Sequence, residues 1–74
     1  MNLTLDKDCT TEVTTLAEAS KQVDAYLRRA GLGYTEWYGR MPRGAEVREG
    51  RKLVALVSYN GRVWNPDNKS EILP

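Results

Sequence analysis

The sequence predicts an α+β fold, with one amphipathic helix packed on a small antiparallel sheet of three to four strands in the order β-α-β-β-β. Three observations carry this expectation. A capped stripe of apolar residues at helical spacing runs from Leu16 to Ala30. After Gly33 the apolar period drops to two. Asn60-Gly61 then interrupts two β-rich runs where a tight hairpin turns. At 74 residues the chain has room for one domain, 1–74, with a thin core.

Taken in order, Asn2-Leu3-Thr4-Leu5 alternates polar and apolar like a half-buried strand. Residues 1–14 therefore read as an N-terminal strand and a polar loop, with Glu12-Val13-Thr14 adding a little extended chain. Thr15-Leu16-Ala17-Glu18 is a capping box, in which the Thr15 hydroxyl accepts from the Glu18 N–H and the Glu18 carboxylate reaches back to the Thr15 N–H. Leu16, Ala19, Val23, Tyr26, Leu27 and Ala30 form the buried stripe, Arg28 and Arg29 complement the dipole in the last turn, and Gly31 stops the helix. Tyr34 to Arg40 reads as a strand, with Tyr34, Glu36 and Tyr38 on one side and Thr35 and Trp37 on the other. Met41-Pro42-Arg43-Gly44 breaks it. A short strand over Ala45 to Arg48 turns at Glu49-Gly50 into a central strand, Lys52 to Tyr59. Arg62-Val63-Trp64 returns, and residues 69–74 are expected to fray.

A two-residue loop at Asn60-Gly61 sets the register, placing Tyr59 opposite Arg62 and Val57 opposite Trp64. Leu53, Ala55, Val57, Tyr59, Arg62 and Trp64 then share one face, and Val54, Leu56, Ser58, Val63 and Asn65 the other. On side-chain volume, the helix is expected on the face bearing Val57 and Trp64. Both faces carry large apolar groups, and one helix covers only one. The N-terminal segment, a second copy or a target protein must cover the rest.

Composition argues against catalysis. With no histidine the commonest general base and metal ligand is missing, and the single Cys9 allows no internal disulfide and no thiolate cluster. Cys9 also lacks the basic partner that a nucleophilic thiolate needs. Glu46 and Glu49 lie among arginines, as in a solvated hairpin. Asp6, Asp8 and Glu12 lack the spacing of a calcium loop, and the glycines follow no phosphate-loop pattern. No enzyme activity, catalytic residue, metal or cofactor is expected. No run of apolar residues is long enough to span a membrane and none reads as a leader, so the expected compartment is the cytoplasm.

Charge is uneven. The net charge is +1, but residues 1–24 hold five acids against two lysines, whereas residues 25–65 hold eight basic residues against three glutamates. All six aromatics are Tyr or Trp, and seven of the eleven basic residues are Arg, the types favoured where proteins meet. The candidate partner-binding residues are Trp37, Tyr38, Arg40, Arg43, Arg48, Arg51, Tyr59 and Arg62. Basic groups interleaved with aromatics on a sheet also suit single-stranded nucleic acid, although the small net charge and the nearby carboxylates weigh against it. A homodimer is the third way to cover the spare face.

The run from Thr15 to Gly33, the Trp37-Tyr38-Gly39 segment and the stretch Leu53 to Trp64 together resemble short proteins encoded by phages and plasmids. Their plan of one helix against a small antiparallel sheet is similar to that of several anti-CRISPR proteins. The likeness covers about residues 15–65; the acidic head, Asn2 to Thr14, lies outside it. The resemblance implies a non-enzymatic inhibitor that occupies a surface of a bacterial defence complex. Many such inhibitors mimic DNA with an acidic face, which here would require Asp6, Asp8, Glu12, Glu18 and Asp24 to cluster. Otherwise the aromatic and arginine groups must make the contact.

Overall fold

The computed structural model describes residues 1–72. Five strands, β1 (Asn2–Asp6), β2 (Cys9–Glu12), β3 (Ala45–Glu49), β4 (Lys52–Val57) and β5 (Val63–Trp64), form one antiparallel sheet in the order β2-β1-β3-β4-β5. Two helices, α1 (Leu16–Ala30) and α2 (Tyr34–Arg40), pack on one face of it. The α+β class holds, with one more strand and one more helix than the sequence predicts.

Helix α1 forms where the apolar stripe placed it. Thr15 Oγ1 accepts from the Glu18 N–H at 3.1 Å, but the Glu18 carboxylate reaches one residue further back than a capping box requires, to the Thr14 N–H at 3.0 Å. Ala19, Val23 and Leu27 are buried, and the Gly31 N–H closes the helix on the Leu27 carbonyl. The exposed Asp24–Arg28 pair, 3.1 Å apart, contributes a few tenths of a kcal/mol at most.

Residues 34–40 are a helix, not a strand. The β propensity of Tyr and Trp is overridden because a four-residue step puts Trp37 and Met41 together on the sheet side, and both are buried. Glu36 accepts the N-terminal Gly33 N–H at 3.4 Å. Trp37 is fully buried and donates Nε1–H to the Leu5 carbonyl at 2.9 Å, fastening α2 to β1.

The hairpin slips by one residue. Val57 pairs with Val63 and Leu56 with Trp64, around a three-residue loop, Tyr59-Asn60-Gly61. Only Gly61 takes positive φ (85°), so the type I′ turn, which needs it at both Asn60 and Gly61, does not form. Gly61 instead donates its N–H to the Ser58 carbonyl at 2.9 Å, and Ser58 donates to Arg62 at 2.9 Å. The cause lies in Tyr59, which leaves the ladder for α2: its N–H donates to the Tyr38 hydroxyl at 2.9 Å, and its own hydroxyl to the Leu32 carbonyl at 3.4 Å. Ser20 Oγ holds the loop from α1 by donating to the Gly61 carbonyl at 2.6 Å.

A slip of one residue turns each affected side chain over. Leu3, Leu5, Ala45, Val47, Ala55, Val57 and Val63 face the helices and form the core with Val23, Leu27, Trp37 and Met41. Trp64 lies on the opposite face from Val57, correcting the expectation that the two share the covered face. The open face carries a cross-strand row, Thr10, Thr4, Glu46, Leu56, Trp64 and Glu71. Leu56 is fully buried between Glu46 and Trp64.

The polar segment after Asp6 is also more ordered than its composition suggests, since Cys9–Glu12 pairs along β1 as an edge strand. At the other end the chain does not fray up to Ile72. Asp67 Oδ1 accepts from the Lys69 and Ser70 N–H groups, Ser70 accepts from Asn65 at 2.7 Å, and the Ile72 N–H donates to Val63 at 2.7 Å. Glu71 bridges Trp64, so this segment covers the outer edge of β5. Residues 73 and 74, part of the tail expected to fray, lie outside the described residues.

Candidate protein-binding surface

The candidate residues fall in four places, apart from Arg51, which is exposed in the turn between β3 and β4. Trp37 is core and leaves the list of surface groups. Arg40 sits on the helix side, where it reaches Asp6. Arg43 and Arg48 lie together near the open face, bound to Glu46. Tyr38, Tyr59 and Arg62 meet at one end of the sheet, where they line a cleft of about 290 Å³ with Tyr34, Trp64, Ser58 and Asn60.

The first group to resolve is the anchor around Asp6. Its side chain is only 10% exposed and accepts from the Lys7 N–H, from Tyr26 Oη and from Arg40 Nη1, each at 2.8 Å. Three elements, β1, α1 and α2, are thereby tied at one carboxylate. Burial pushes the Asp6 carboxyl up, but the three hydrogen bonds and the Arg40 charge outweigh it and hold the group below its ordinary 3.8. The same bond to Asp6, followed by burial, raises Tyr26, and it raises Arg40 too. Cys9, partly exposed, lines the hollow beside this network and is a free thiol.

Glu46 pairs with two arginines, Arg43 Nη2 at 2.9 Å and Arg48 Nη2 at 2.9 Å. Burial raises this carboxyl and the hydrogen bonds from Arg48 and Arg43 overcome it, leaving it below 4.5. Arg48 also donates to the Arg51 carbonyl at 3.4 Å. Three of the five candidate arginines are therefore paired with carboxylates of this chain, although their side chains stay partly exposed. Among the described residues Arg51 and Arg62 make no ion pair.

Both lowered carboxylates make a pH prediction. A group whose folded pKa lies below its unfolded value contributes stability that is present above the unfolded value and lost as pH falls through the folded one. The melting temperature is therefore expected to hold above about pH 5 and to fall progressively below the ordinary values of 3.8 and 4.5. Asp6→Asn should lower stability at neutral pH and flatten that acid limb. A thermal-unfolding series between pH 2 and 7, followed by circular dichroism, reads both; an unchanged limb in Asp6→Asn would count against the anchor.

The aromatic end differs in kind. Tyr34, 64% exposed, packs edge-to-face against Tyr38 (centroids 4.7 Å apart) and Tyr59 (5.7 Å). Trp37 backs both from within, at 5.2 and 6.3 Å. A rigid floor thus supports an exposed tyrosine. Sequence reasoning missed Tyr34 and Trp64 as site residues. A signal for Tyr34 existed, because residues four apart share a side in a strand and a face in a helix alike. Trp64 had none, since its face depended on a register that only the Tyr59–Tyr38 bond settles.

Among the described residues no group of His, Cys, Asp and Glu is placed to hold a metal ion, and no helix is long and apolar enough to cross a membrane. Of the acidic residues that DNA mimicry would require to cluster, Asp6 is bound to Arg40 and Asp24 to Arg28. What the fold and the surface define is an open-faced α+β sheet with a tyrosine-rich cleft at one end. No family model matches the chain, and no curated protein or solved structure matches it.

Proposed function

We propose that this is a small non-enzymatic binding protein of mobile-element origin that works in the cytoplasm and inhibits a bacterial defence complex by occupying its surface. The observation that carries the reading is the cleft at the end of the sheet, where an exposed Tyr34 and partly exposed Tyr38, Tyr59 and Trp64 surround Arg62, which makes no ion pair among the described residues. Tyr, Trp and Arg dominate binding hot spots because each buries a large area while keeping a polar tip satisfied. Tyr34 is held by its neighbours and loses little rotamer freedom on contact. Nucleic acid fits less well, because a strand-tracking groove needs several free cations and Arg40, Arg43 and Arg48 are committed to Asp6 and Glu46.

The test is protection of phage against CRISPR interference, scored as plaquing efficiency on hosts with different defence systems. Wild-type protein is expected to restore plaquing on at least one. Tyr34→Ala with Arg62→Glu is expected to lose most of that effect, with target affinity reduced roughly thirtyfold or more, the size of a hot-spot residue. No relief on any host would remove the inhibitor reading. Full inhibition by the double variant would move the interface elsewhere.

A further inference from the structure

The sheet has two edges, and the chain closes one of them. Along β5 the segment 65–72 covers the outer side: the Ile72 N–H donates to the Val63 carbonyl at 2.7 Å, and Glu71 bridges Trp64. Among the described residues nothing does the same along β2. The Val13 N–H donates to the Met1 carbonyl at 2.9 Å and the Met1 amino group to the Val13 carbonyl at 3.0 Å, which fixes the alternation of the ladder. Thr11, two residues back, also turns its N–H and C=O to β1, opposite Leu3. Those of Thr10 and Glu12 therefore point outward, and both residues are exposed. The open stretch is bounded at each end, by the Lys7-Asp8 turn and by the Glu18 carboxylate, which takes the Thr14 N–H at 3.0 Å.

A free edge pairs with another strand unless something blunts it. Cys9-Thr10-Thr11-Glu12 carries no lysine, no proline and no bulged residue of its own, since the irregularity in this ladder lies in β1, between Thr4 and Asp6. We infer that this edge pairs with the β2 edge of a second copy, antiparallel about a twofold axis through Thr11. Three features select a copy. The outward residues stand on either side of Thr11, so the twofold sets Thr10 of each chain opposite Glu12 of its partner, each pair exchanging N–H···O bonds. In that register Glu12, the one charge on the strand, meets a threonine and not its own twin. The partner's edge also ends at the same two stops, so the lengths match. Because the β5 edge is closed, pairing halts at two chains and does not run on into a fibre. The tyrosine cleft lies by β4 and β5, at the opposite edge from β2, so both clefts stay open and the dimer stands or falls apart from the inhibitor reading.

Sedimentation velocity from micromolar to millimolar chain, with amide exchange of ¹⁵N-labelled protein at both ends of that range, is the test. A monomer–dimer equilibrium is expected, in which the Thr10 and Glu12 amides exchange fast in dilute protein and slowly in concentrated protein. The Thr11 amide, bonded within the ladder, should be slow in both. Thr10→Pro removes one outward donor from each chain and none from the β1 ladder, so it should weaken the dimer roughly tenfold or more. Thr10→Lys sets a lysine opposite Glu12 at both pairs and should tighten the dimer roughly threefold or more. It also carries the test if the proline variant does not fold. A chain that stays monomeric at millimolar concentration, or that assembles beyond a dimer, overturns the assignment. So do Thr10 and Glu12 amides whose exchange ignores concentration, and a Thr10→Lys dimer no tighter than wild type.

Discussion

Trp37→Ala is expected to destabilise the fold by about 3–5 kcal/mol, the cost of emptying a large buried aromatic site. A domain of this length has roughly 4–11 kcal/mol in total, so the loss is a large share of the whole. Two losses combine. The indole sits at zero exposure among residues of both helices and the sheet, and its Nε1–H is the donor that satisfies the Leu5 carbonyl. Trp37→Phe separates them, keeping most of the apolar contact while leaving that carbonyl unpaired, for an expected cost of about 1–3 kcal/mol. Urea titrations followed by far-UV circular dichroism give both values. A Trp37→Ala protein within 1 kcal/mol of wild type would mean that α2 does not pack on β1 as described.

The same residue marks where local sequence stops being informative. In α1 the capping residues, the stripe and the stop all agree, and tertiary packing only ratifies them. In Tyr34 to Arg40 they conflict. Aromatic and β-branched types favour a strand, while the four-residue step from Trp37 to Met41 favours a helix, and seven residues are too few for periodicity to decide. What decides is distant: Leu5 offers a carbonyl and the sheet offers a pocket. Strand β2 was hidden for a different reason. Cys-Thr-Thr-Glu at Cys9 to Glu12 alternates nothing apolar, because an edge strand beside β1 buries little on either side. The hairpin was legible as a hairpin and not in its register, since a bond from Tyr59 to a helix twenty-one residues earlier sets the loop length.

The site follows the same division. The residue types were readable; their electrostatic state was not. Arg40, Arg43 and Arg48 sit in the basic middle of the chain, but their partners Asp6 and Glu46 come from β1 and β3, and only the fold brings the charges together. Their pairing leaves Arg62, among the described residues, as the guanidinium of the aromatic cleft without an ion pair. Adding α2 to the covered face has a matching effect. The shortage of cover that the sequence implies is met on one side, and on the other Leu56 is buried between Glu46 and a partly exposed Trp64.

Gly44→Ala is expected to cost about 2–5 kcal/mol, combining the left-handed backbone penalty with overpacking. Gly44 ends the turn after α2, donating to the Met41 carbonyl at 2.8 Å, and holds φ at +83°. A methyl group there would lie 2.4 Å from the Val57 carbonyl oxygen. That oxygen is backbone of β4, and Val57 is paired with Ala45, the next residue along, so the methyl can be accommodated only by separating the β3–β4 pair at the centre of the sheet. Gly50→Ala is the control, because Gly50 also has positive φ (62°) but nothing within 4 Å of its added methyl. Its expected cost is the backbone share alone, about 1–2 kcal/mol. The difference between the two variants in chemical denaturation therefore isolates the close approach of the turn to β4. Equal losses would show that the sheet yields freely at Val57, and the tight junction between α2 and the central strands, on which the placement of Tyr34 and Tyr38 over Tyr59 depends, would have to be abandoned.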